Sequence, residues 1–244
     1  MATRWWSRYV ANFCIYLSDS LRYLIAEYLV ASTQSLVALP EPLTFLDGAL
    51  IACGFGTAYA ACSRGNVSGR DHVLVTGLGP VGLGVCLIAK AMGARVLGIE
   101  WDKTRNESAK ALGIEAIECS KSKEEDRDVS AAIAWSNSNS GQSTEPMGVD
   151  VAIDCSGSAL ARVTCLKSAK VWGRVVFVGE GGRVEFDVSD VVIHKSLSIF
   201  GSWVCSIGQM EELVKRLVGW NLHPEVNALH LSKQLAILIA LEKR

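Results

Sequence analysis

The chain has 244 residues; its 24 lysines and arginines nearly balance its 25 acidic residues, and half of its residues are hydrophobic. Such a composition is typical of a globular protein with a large core, and it excludes collagen-like and intrinsically disordered chains. The net charge of -1 also argues against nucleic-acid binding, which needs an excess of basic residues to neutralise phosphates. Eight cysteines without any Cys-x-x-Cys pair favour a reducing compartment over a disulfide scaffold.

The N-terminal part of the chain carries the residues that bear on targeting and membrane insertion. Residues 1–18 contain Arg4 and Arg8 but no acid, a pattern that weakly resembles an organelle transit peptide. Arg22 and Glu27 interrupt the apolar stretch before it reaches the roughly 18 residues of a membrane span. We therefore expect a cytoplasmic protein that does not enter a membrane, with a mitochondrial location as the alternative.

From His72 onward, short β-branched runs alternate with longer helical segments, which predicts a parallel sheet with crossover helices. The predicted strands are Val73–Thr76, Arg95–Ile99, Ala116–Cys119, Val149–Asp154, Arg174–Val178 and Leu197–Gly201. The predicted helices lie near Pro80–Met92, Lys103–Leu112, Asp126–Trp135, Ala159–Ala169 and Gln209–Trp220. This alternation indicates an α/β fold of the Rossmann type, with a doubly wound six-stranded parallel sheet.

Other signals mark the ends of helices and the connections between elements. Gly93 and Gly113 lie where helix C-caps belong. The segment Ser136–Pro146 is polar and low in complexity, which predicts a surface loop. The apolar run Leu229–Leu241 predicts a terminal helix or a frayed tail.

A glycine-rich turn directly follows the first of these strands, since residues 73–82 read VLVTGLGPVG. In the GxGxxG pattern Gly77 permits the tight turn, Gly79 lets the backbone approach a pyrophosphate, and Gly82 lets the helix pack closely on the strand. The N-terminus of the next helix supplies unpaired N–H groups and the positive end of its dipole. The pattern predicts a pyrophosphate site; the alternative is that the glycines serve only the turn and the packing.

Glu100 lies at the end of the next predicted strand, 23 residues after Gly77. An acid about 20 residues beyond the first glycine accepts hydrogen bonds from ribose hydroxyls in dinucleotide-binding folds. The same carboxylate repels a 2′-phosphate, so Glu100 favours NAD over NADP, while Arg105 weakens that preference. The alternative is that Glu100 is a solvent-exposed acid at a strand end.

Five segments of the chain form a pattern that extends well beyond the glycine turn. They read GALIACGFGTAY at 48–59, VLVTGLGPVGL at 73–83, AKAMGARVLGIE at 89–100, DVAIDCSG at 150–157 and GRVVFVGE at 173–180. In this order they resemble the zinc-type medium-chain alcohol dehydrogenase/reductase superfamily over roughly 26–225, and most closely its threonine, polyol and related alcohol dehydrogenases. The resemblance implies hydride transfer between a secondary alcohol or polyol and NAD, with a catalytic zinc.

The resemblance also implies which residues contact the cofactor. The pyrophosphate would lie on the glycine turn, formed by Gly77, Leu78, Gly79, Pro80, Val81 and Gly82. Glu100 and Arg105 would lie at the adenosine ribose. The crevice at the strand ends and the nicotinamide side would be lined by Ser156, Gly157, Val178, Gly179, Glu180, Ser202 and Trp203.

Two residues of the first segment match catalytic positions of the family. Cys53 resembles a ligand of the catalytic zinc, a thiolate suited to a tetrahedral site with one open position. The alternative is that Cys53 is a small buried hydrophobic residue. Thr57 resembles the threonine that packs behind the nicotinamide ring and favours one face for hydride transfer.

The chain departs from the family pattern near both ends. The family places a GroES-like catalytic domain, with the other zinc ligands, before the segment that begins here at Ala26. We therefore expect an unmatched extension at 1–25, a catalytic-domain remnant and linking helix at 26–60, a NAD-binding Rossmann domain at 61–222 and an unmatched tail at 223–244. Because one thiolate does not make a three-ligand zinc site, we expect the chain to be truncated and incomplete for catalysis alone.

Three functions stay open at this point. The first is the family's zinc- and NAD-dependent alcohol or polyol oxidation, the second a non-catalytic NAD-binding module or pseudoenzyme, and the third a fragment that binds nothing. Since family members pair through the edge strand of the cofactor sheet, the resemblance also implies a homodimer through Leu197–Gly201. The alternative is a monomer whose edge strand is covered.

Overall fold

The computed structural model describes residues 9–11, 32–119, 125–139 and 148–224, with side chains for all of these except 9–11, 125, 126 and 139. The predicted terminal segment Leu229–Leu241 lies outside them. The chain divides into two compact units, one formed by 1–60 with 204–244 and the other by 61–203. The domain limits given above, 61–222 among them, stay a prediction.

The second unit is built on a six-stranded parallel sheet. Its strands are β3 (His72–Thr76), β4 (Arg95–Glu100), β5 (Glu115–Glu118), β6 (Val149–Asp154), β7 (Ala169–Phe177) and β8 (Ser198–Gly201). Across the sheet they lie in the order β5-β4-β3-β6-β7-β8, and every neighbouring pair is parallel. This order confirms the predicted doubly wound fold, in which β3 and β6 lie at the centre.

In the described residues, these strands are connected by the π-helix Ser189–Ile193 between β7 and β8 and by four α-helices, namely α3 (Pro80–Ala91), α4 (Lys103–Ala111), α5 (Glu125–Asn139) and α6 (Ala159–Ser168). The connections from β3 through β5 run toward one edge of the sheet, and those from β5 through β7 run toward the other. Because crossovers are right-handed, α3 and α4 cover one face, whereas α5 and α6 cover the opposite face. The contact between α5 and α6 agrees with this assignment.

The core of the second unit lies where the central strands meet the helices. Leu74 of β3, Leu97 of β4, Ala152 of β6 and Val175 of β7 are almost completely buried in one hydrophobic cluster. Their positions explain why the sequence shows near-continuous apolar runs: both faces of the central strands are covered. The helices end as predicted at Gly93 and Gly113, whose φ angles are +92° and +72°.

Two elements of the second unit differ from the sequence-based prediction by more than two residues at one end. Residues 136–139 of the predicted loop are helical, because α5 continues to Asn139. The buried Ser136 hydroxyl donates to the Gly148 carbonyl at 2.8 Å, and this tertiary hydrogen bond overrides the low helix propensity of the serine- and asparagine-rich segment. Strand β7 begins five residues earlier than predicted, with a register irregularity opposite Val149 and a positive φ at Trp172.

The first unit contains β1 (Tyr9–Ala11), β2 (Leu36–Ala38), α1 (Phe45–Leu50), a π-helix (Ile51–Phe55), the start of α2 (Gly56–Arg64) and α7 (Ile207–Trp220). The last four residues of α2 belong to the second unit. Strands β1 and β2 pair antiparallel. A capping box opens α1, since the Thr44 hydroxyl accepts from the Asp47 N–H and the Asp47 carboxylate accepts from the Thr44 N–H. Asp47 is fully buried and also lies 2.8 Å from Nδ1 of His223.

The helical run Phe45–Arg64 is long and apolar enough to cross a membrane when judged by length and composition. Two thirds of its most apolar stretch is buried inside the protein. Core helices of globular proteins have the same combination of length, composition and burial, so the run is weak evidence for a membrane segment.

Candidate functional site

A cavity of about 390 Å³ opens at the carboxyl ends of the central strands of the second unit. It lies where β3 and β6 are neighbours and where the chain connections leave toward opposite edges of the sheet. Its lining includes Thr76 and Gly77 at the end of β3, Glu100 at the end of β4, and Ser156 after β6. Open α/β sheets bind ligands at this topological switch point.

The glycine turn forms one wall of the cavity in the way that its spacing predicts. Gly77 has a φ of +83°, and a Cβ on it would lie 2.7 Å from Cβ of Ser156. A Cβ on Gly82 would collide with the carbonyl oxygen of Gly77, so only glycine lets α3 begin this close to the turn. A Cβ on Gly79 would meet no atom within 4 Å, and this open side leaves the backbone accessible to a ligand.

The buried acid Glu100 is tied to the glycine turn by its carboxylate, and only 2% of the residue is exposed. Its Oε2 accepts from the Leu78 N–H at 2.7 Å, and its Oε1 accepts from the N–H groups of Trp101 and Asp102 at 2.9 and 3.0 Å. Nη1 of Arg105 lies 3.8 Å from Oε2. These donors hold a negative charge at the cavity wall, so Glu100 is not the solvent-exposed acid of the alternative interpretation.

The N–H of Leu78, which the resemblance implies as a pyrophosphate contact, instead donates a hydrogen bond to Glu100. Because its N–H is engaged by Glu100, it is not available to a phosphate, and its side chain contacts Gly98 of β4. Pro80, Val81 and Gly82 form the first turn of α3, where the N–H groups of Val81 and Gly82 have no partners within the helix and proline supplies none. These N–H groups, together with Gly79, remain the predicted pyrophosphate contacts.

The side of the cavity beyond Glu100 is lined by residues that the sequence motifs do not mark. These are Trp101, Cys119 and Asp128. Arg105, which the resemblance does mark, lines the same side. Cys119 directly follows β5, and Asp128 lies near the start of α5. Burial and the neighbouring carboxylate of Asp128 raise the pKa of the Cys119 thiol, which favours its neutral form.

A second buried acid, Asp154 at the end of β6, joins three of the loops at this edge of the sheet. It accepts hydrogen bonds from the Thr76 hydroxyl at 3.1 Å, from the Ser156 hydroxyl at 2.6 Å and N–H at 3.0 Å, and from the Gly157 N–H at 3.2 Å. Nε of the mostly buried Arg162 lies 3.3 Å from its Oδ2. Asp154 therefore fixes the turn that carries Ser156 and Gly157.

Arg162 extends this arrangement to the loop after β7. Its Nη2 donates to the Gly179 carbonyl at 2.7 Å and its Nη1 to the Gly182 carbonyl at 3.1 Å. The backbones of Gly157 and Gly179 are in contact, so a Cβ on either residue would collide with the other loop. Asp154 belongs to the motif at 150–157 and ends a predicted strand, but the motif gave no sign of its hydrogen bonds or of Arg162.

The residues predicted for the nicotinamide side lie near one another but do not line the cavity. Gly179 donates its N–H to the Asp154 carbonyl at 3.0 Å, and Ser202 donates its N–H to the Phe177 carbonyl at 3.0 Å. The indole N–H of Trp203 donates to Oε1 of Glu180 at 2.7 Å. Val178 likewise donates its N–H to Asp154, so these residues form a connected group at the ends of β6, β7 and β8.

The predicted catalytic positions belong to the first unit. Cys53 is exposed within the π-helix, which differs from the alternative of a small buried residue, and Thr57 is buried in the first turn of α2. Among the residues that the structure describes, no three histidine, cysteine or acidic side chains are grouped so that they could hold a metal ion. The described residues therefore do not fit a tetrahedral zinc site, which needs at least three protein ligands.

Cys155, which lines the cavity directly after β6, has a neutral thiol. Cys155 follows Asp154 and lines the cavity. Burial raises the pKa of the Cys155 thiol well above its usual range, so at neutral pH it carries no charge. A neutral thiol does not repel a phosphate, and the wall stays compatible with an anionic ligand.

The chain is similar to known proteins in its family, in its sequence and in its fold. Residues 80–219, more than half of the chain, match the zinc-binding dehydrogenase family. The uncharacterized zinc-type alcohol dehydrogenase-like protein YphC of Escherichia coli is 42% identical over 200 residues, which cover 82% of this chain and 54% of that protein. Sorbitol dehydrogenase of Rattus norvegicus is 34% identical over 144 residues, 59% of this chain and 38% of that enzyme.

The fold is also that of a solved structure. An Escherichia coli alcohol dehydrogenase crystallised with its cofactor NADH superimposes with a TM-score of 0.67 at 21% identity, covering 81% of this chain and 55% of that one. The chain spans about half the length, or less, of the curated relatives named here. From the matched segment and the Escherichia coli relative, the chain belongs to the zinc-binding dehydrogenase family and is similar to zinc-type alcohol dehydrogenase-like proteins.

Proposed function

We propose that the second unit binds NAD(H) and that the chain takes part in hydride transfer between a secondary alcohol or polyol and the nicotinamide ring. The observation that carries the proposal is the buried Glu100 carboxylate, held by the backbone N–H of Leu78 at the wall of the cavity. A fixed negative charge beside a glycine turn accepts from ribose hydroxyls and repels a 2′-phosphate. NAD, when bound, supplies the hydride-accepting ring.

The chain's own residues bind and orient the dinucleotide. The first turn of α3 and Gly79 present backbone N–H groups and open space to the pyrophosphate. Glu100 orients the adenosine ribose, and the Asp154–Arg162 pair holds the turns at Ser156 and Gly179 in fixed positions. We assign Thr57 to the ring face and Ser202 and Trp203 to the carboxamide by the family resemblance.

A second candidate function is a non-catalytic NAD-binding module. It is favoured by Cys53, which is exposed and belongs to no metal-binding group among the described residues. The two candidates agree on NADH binding and differ in turnover: alcohol or polyol oxidation dependent on added zinc supports the first and contradicts the second.

The cofactor proposal is tested by calorimetric titration of the purified protein with NADH and with NADPH. We expect NADH to bind at least tenfold more tightly. In Glu100→Ala the NADH dissociation constant should rise about 30-fold, because a charged hydrogen-bond acceptor contributes about 2 kcal/mol. The preference over NADPH should fall to about onefold, since the charge that repels the 2′-phosphate is gone.

Glu118→Ala is the matched control for this experiment. Glu118 is an exposed acid at the end of the neighbouring strand β5, and it does not line the cavity. It should leave both dissociation constants within a factor of two. Wild-type protein that binds neither nucleotide would contradict the proposal, and so would a Glu100→Ala variant that keeps the preference for NADH.

We also propose that the chain forms a homodimer through strand β8. Among the described strands β8 pairs only with β7, and Ile199 on it is 38% exposed. An open edge with an apolar side chain favours pairing with a second copy. Sedimentation should show a dimer for the wild type and a monomer for Ile199→Lys, whereas Val218→Lys on α7 should stay dimeric; a monomeric wild type would contradict the proposal.

A further inference from the structure

The cysteine that precedes α7, Cys205, packs against the helical segment that contains Cys53, and both belong to the first unit. Cys205 comes directly before Ser206, the N-cap of α7, and only 7% of it is exposed. Its Sγ lies 2.5 Å, and its Cβ 3.6 Å, from the position that a Cβ on Gly56 would occupy. The sulfur of Cys205 therefore rests directly on the backbone of Gly56, and only glycine leaves room for it.

Cys53 lies one helical turn before this contact. The Gly56 N–H donates to the Cys53 carbonyl, so the two residues are neighbours along the helix axis. The Cβ positions of helical residues three apart lie about 5–6 Å from each other on one side of the helix. The Cys205 sulfur is thus within one helical turn of Cys53, although the two cysteines come from distant parts of the sequence.

The backbone around Cys53 is a π-helix, Ile51–Phe55. Such turns are rare and occur mostly at functional sites. The Gly56 N–H that ends the π-helix is shared between the carbonyls of Cys53 and Ile51. A disulfide needs a Cβ–Cβ distance of about 3.5–4.5 Å, shorter than the spacing of one helical turn. A turn that already shares its hydrogen bonds is the element that supplies the closing movement.

The two cysteines differ in access, as the two members of a reacting thiol pair do. Cys53 is exposed and meets solutes, whereas Cys205 is buried beside it. Cys62, Cys86 and Cys165 are completely buried, and burial raises the pKa of each thiol, to about 12 for Cys62. A thiol-specific oxidant in solution therefore reacts with Cys53 and does not reach these three.

We propose that Cys53 and Cys205 form a reversible disulfide, with oxidised glutathione or another small disulfide as the oxidant. The Cys53 thiolate attacks one sulfur of glutathione disulfide, whose S–S bond breaks and releases one glutathione thiolate. The Cys205 thiolate then attacks the Cys53 sulfur and displaces the second glutathione. The two cysteines lose two electrons and two protons, and glutathione disulfide takes them up as two thiols.

The disulfide ties the π-helix to the start of α7. It also consumes the thiolate that the resemblance implies as a zinc ligand, so an oxidised chain and a metal-bound Cys53 exclude each other. The inference goes beyond the proposed function, because it concerns the first unit and does not depend on nucleotide binding.

The experiment incubates the purified protein with oxidised glutathione, stops exchange with acid and blocks the remaining thiols with N-ethylmaleimide. Peptides from a digestion without reductant are then identified by mass spectrometry. In most wild-type molecules we expect a peptide pair joined through Cys53 and Cys205, without bound glutathione. Treatment with dithiothreitol should remove the link and restore both thiols.

Two variants test the order of the steps. Cys205→Ser should stop after the first exchange and keep one glutathione on Cys53, because the resolving thiol is gone. Cys53→Ser, a change at an exposed position that leaves the fold intact, should form no link and carry no glutathione on the buried Cys205. Cys119→Ser removes a partly exposed cysteine of the second unit and should form the Cys53–Cys205 link as the wild type does.

The inference is overturned if glutathione stays on Cys53 in the wild type, if Cys53 links to another cysteine, or if no disulfide forms at all. It is also overturned if Cys53→Ser carries glutathione on Cys205, since that residue would then react without its partner. The NADH titrations use reduced protein, so either proposal fails or stands without the other.

Discussion

Replacing Gly82 by alanine is expected to reduce the free energy of unfolding by about 3 kcal/mol or more, or to prevent soluble expression. The added methyl group would overlap the carbonyl oxygen of Gly77, and neither can move aside, because the methyl is fixed to the Cα of α3 and the oxygen belongs to the backbone of the turn. Relief requires α3 to shift away from β3, which opens the core around that helix. Urea denaturation of the purified variant measures the loss.

Gly79→Ala is the matched variant in the same turn. A Cβ at Gly79 meets no atom within 4 Å, so the free energy of unfolding should change by about 1 kcal/mol at most, the difference between glycine and alanine at an N-cap. NADH binding should nevertheless weaken, because the methyl group occupies the space in which the backbone meets the pyrophosphate. Equal stability of the two variants would contradict the packing argument for Gly82.

Removing the Arg162 guanidinium is expected to have the largest effect among single side-chain changes at the site. Arg162→Met leaves Asp154, which is fully buried, without its cationic partner, and it leaves the Gly179 and Gly182 carbonyls without their donors. Breaking a buried ion pair from one side destabilises a protein by about 3–5 kcal/mol. Thermal and urea unfolding should both show the loss.

Two controls test whether the loss comes from the buried pair. The double variant Asp154→Asn with Arg162→Met should recover part of the stability, since the uncompensated charge is removed. Asp190→Asn breaks the exposed pair with His194, whose side chains are 77% and 69% exposed, and should change stability by less than about 0.5 kcal/mol. An Arg162→Met variant as stable as Asp190→Asn would contradict the assignment.

The sheet and the glycine turn were predictable because their signals are local. Buried parallel strands must be apolar on both faces, and a turn that approaches a helix this closely must contain glycine, so both leave a record in consecutive residues. The limits of α5 were not predictable in this way. Its last turn depends on the Ser136 hydroxyl reaching Gly148, a residue beyond the end of the helix.

The side-chain network of the site was the least predictable part. The spacing indicated that Glu100 belongs to the cavity, but not that its carboxylate is buried and bound to Leu78. Asp154 lies in the motif at 150–157, but that motif does not indicate its ion pair with Arg162. Arg162 is separated from Gly179 and Gly182 by the rest of α6 and by β7, so no motif spacing marks it. Trp101 and Asp128 line the cavity because of how strands β4 and β5 lie side by side, which is a property of the fold.

The hydrogen bond between Glu100 and Leu78 also links the part of the site that binds the ribose to the part that binds the pyrophosphate. One carboxylate oxygen of Glu100 accepts a hydrogen bond from the glycine turn. A ligand that hydrogen-bonds to Glu100 is therefore connected through it to the turn that contacts the ligand's phosphates. The acid is ordered before the ligand arrives, so little conformational entropy is lost when a ribose binds. The turn and the acid thus behave as one rigid receptor that is already in place for both the ribose and the pyrophosphate.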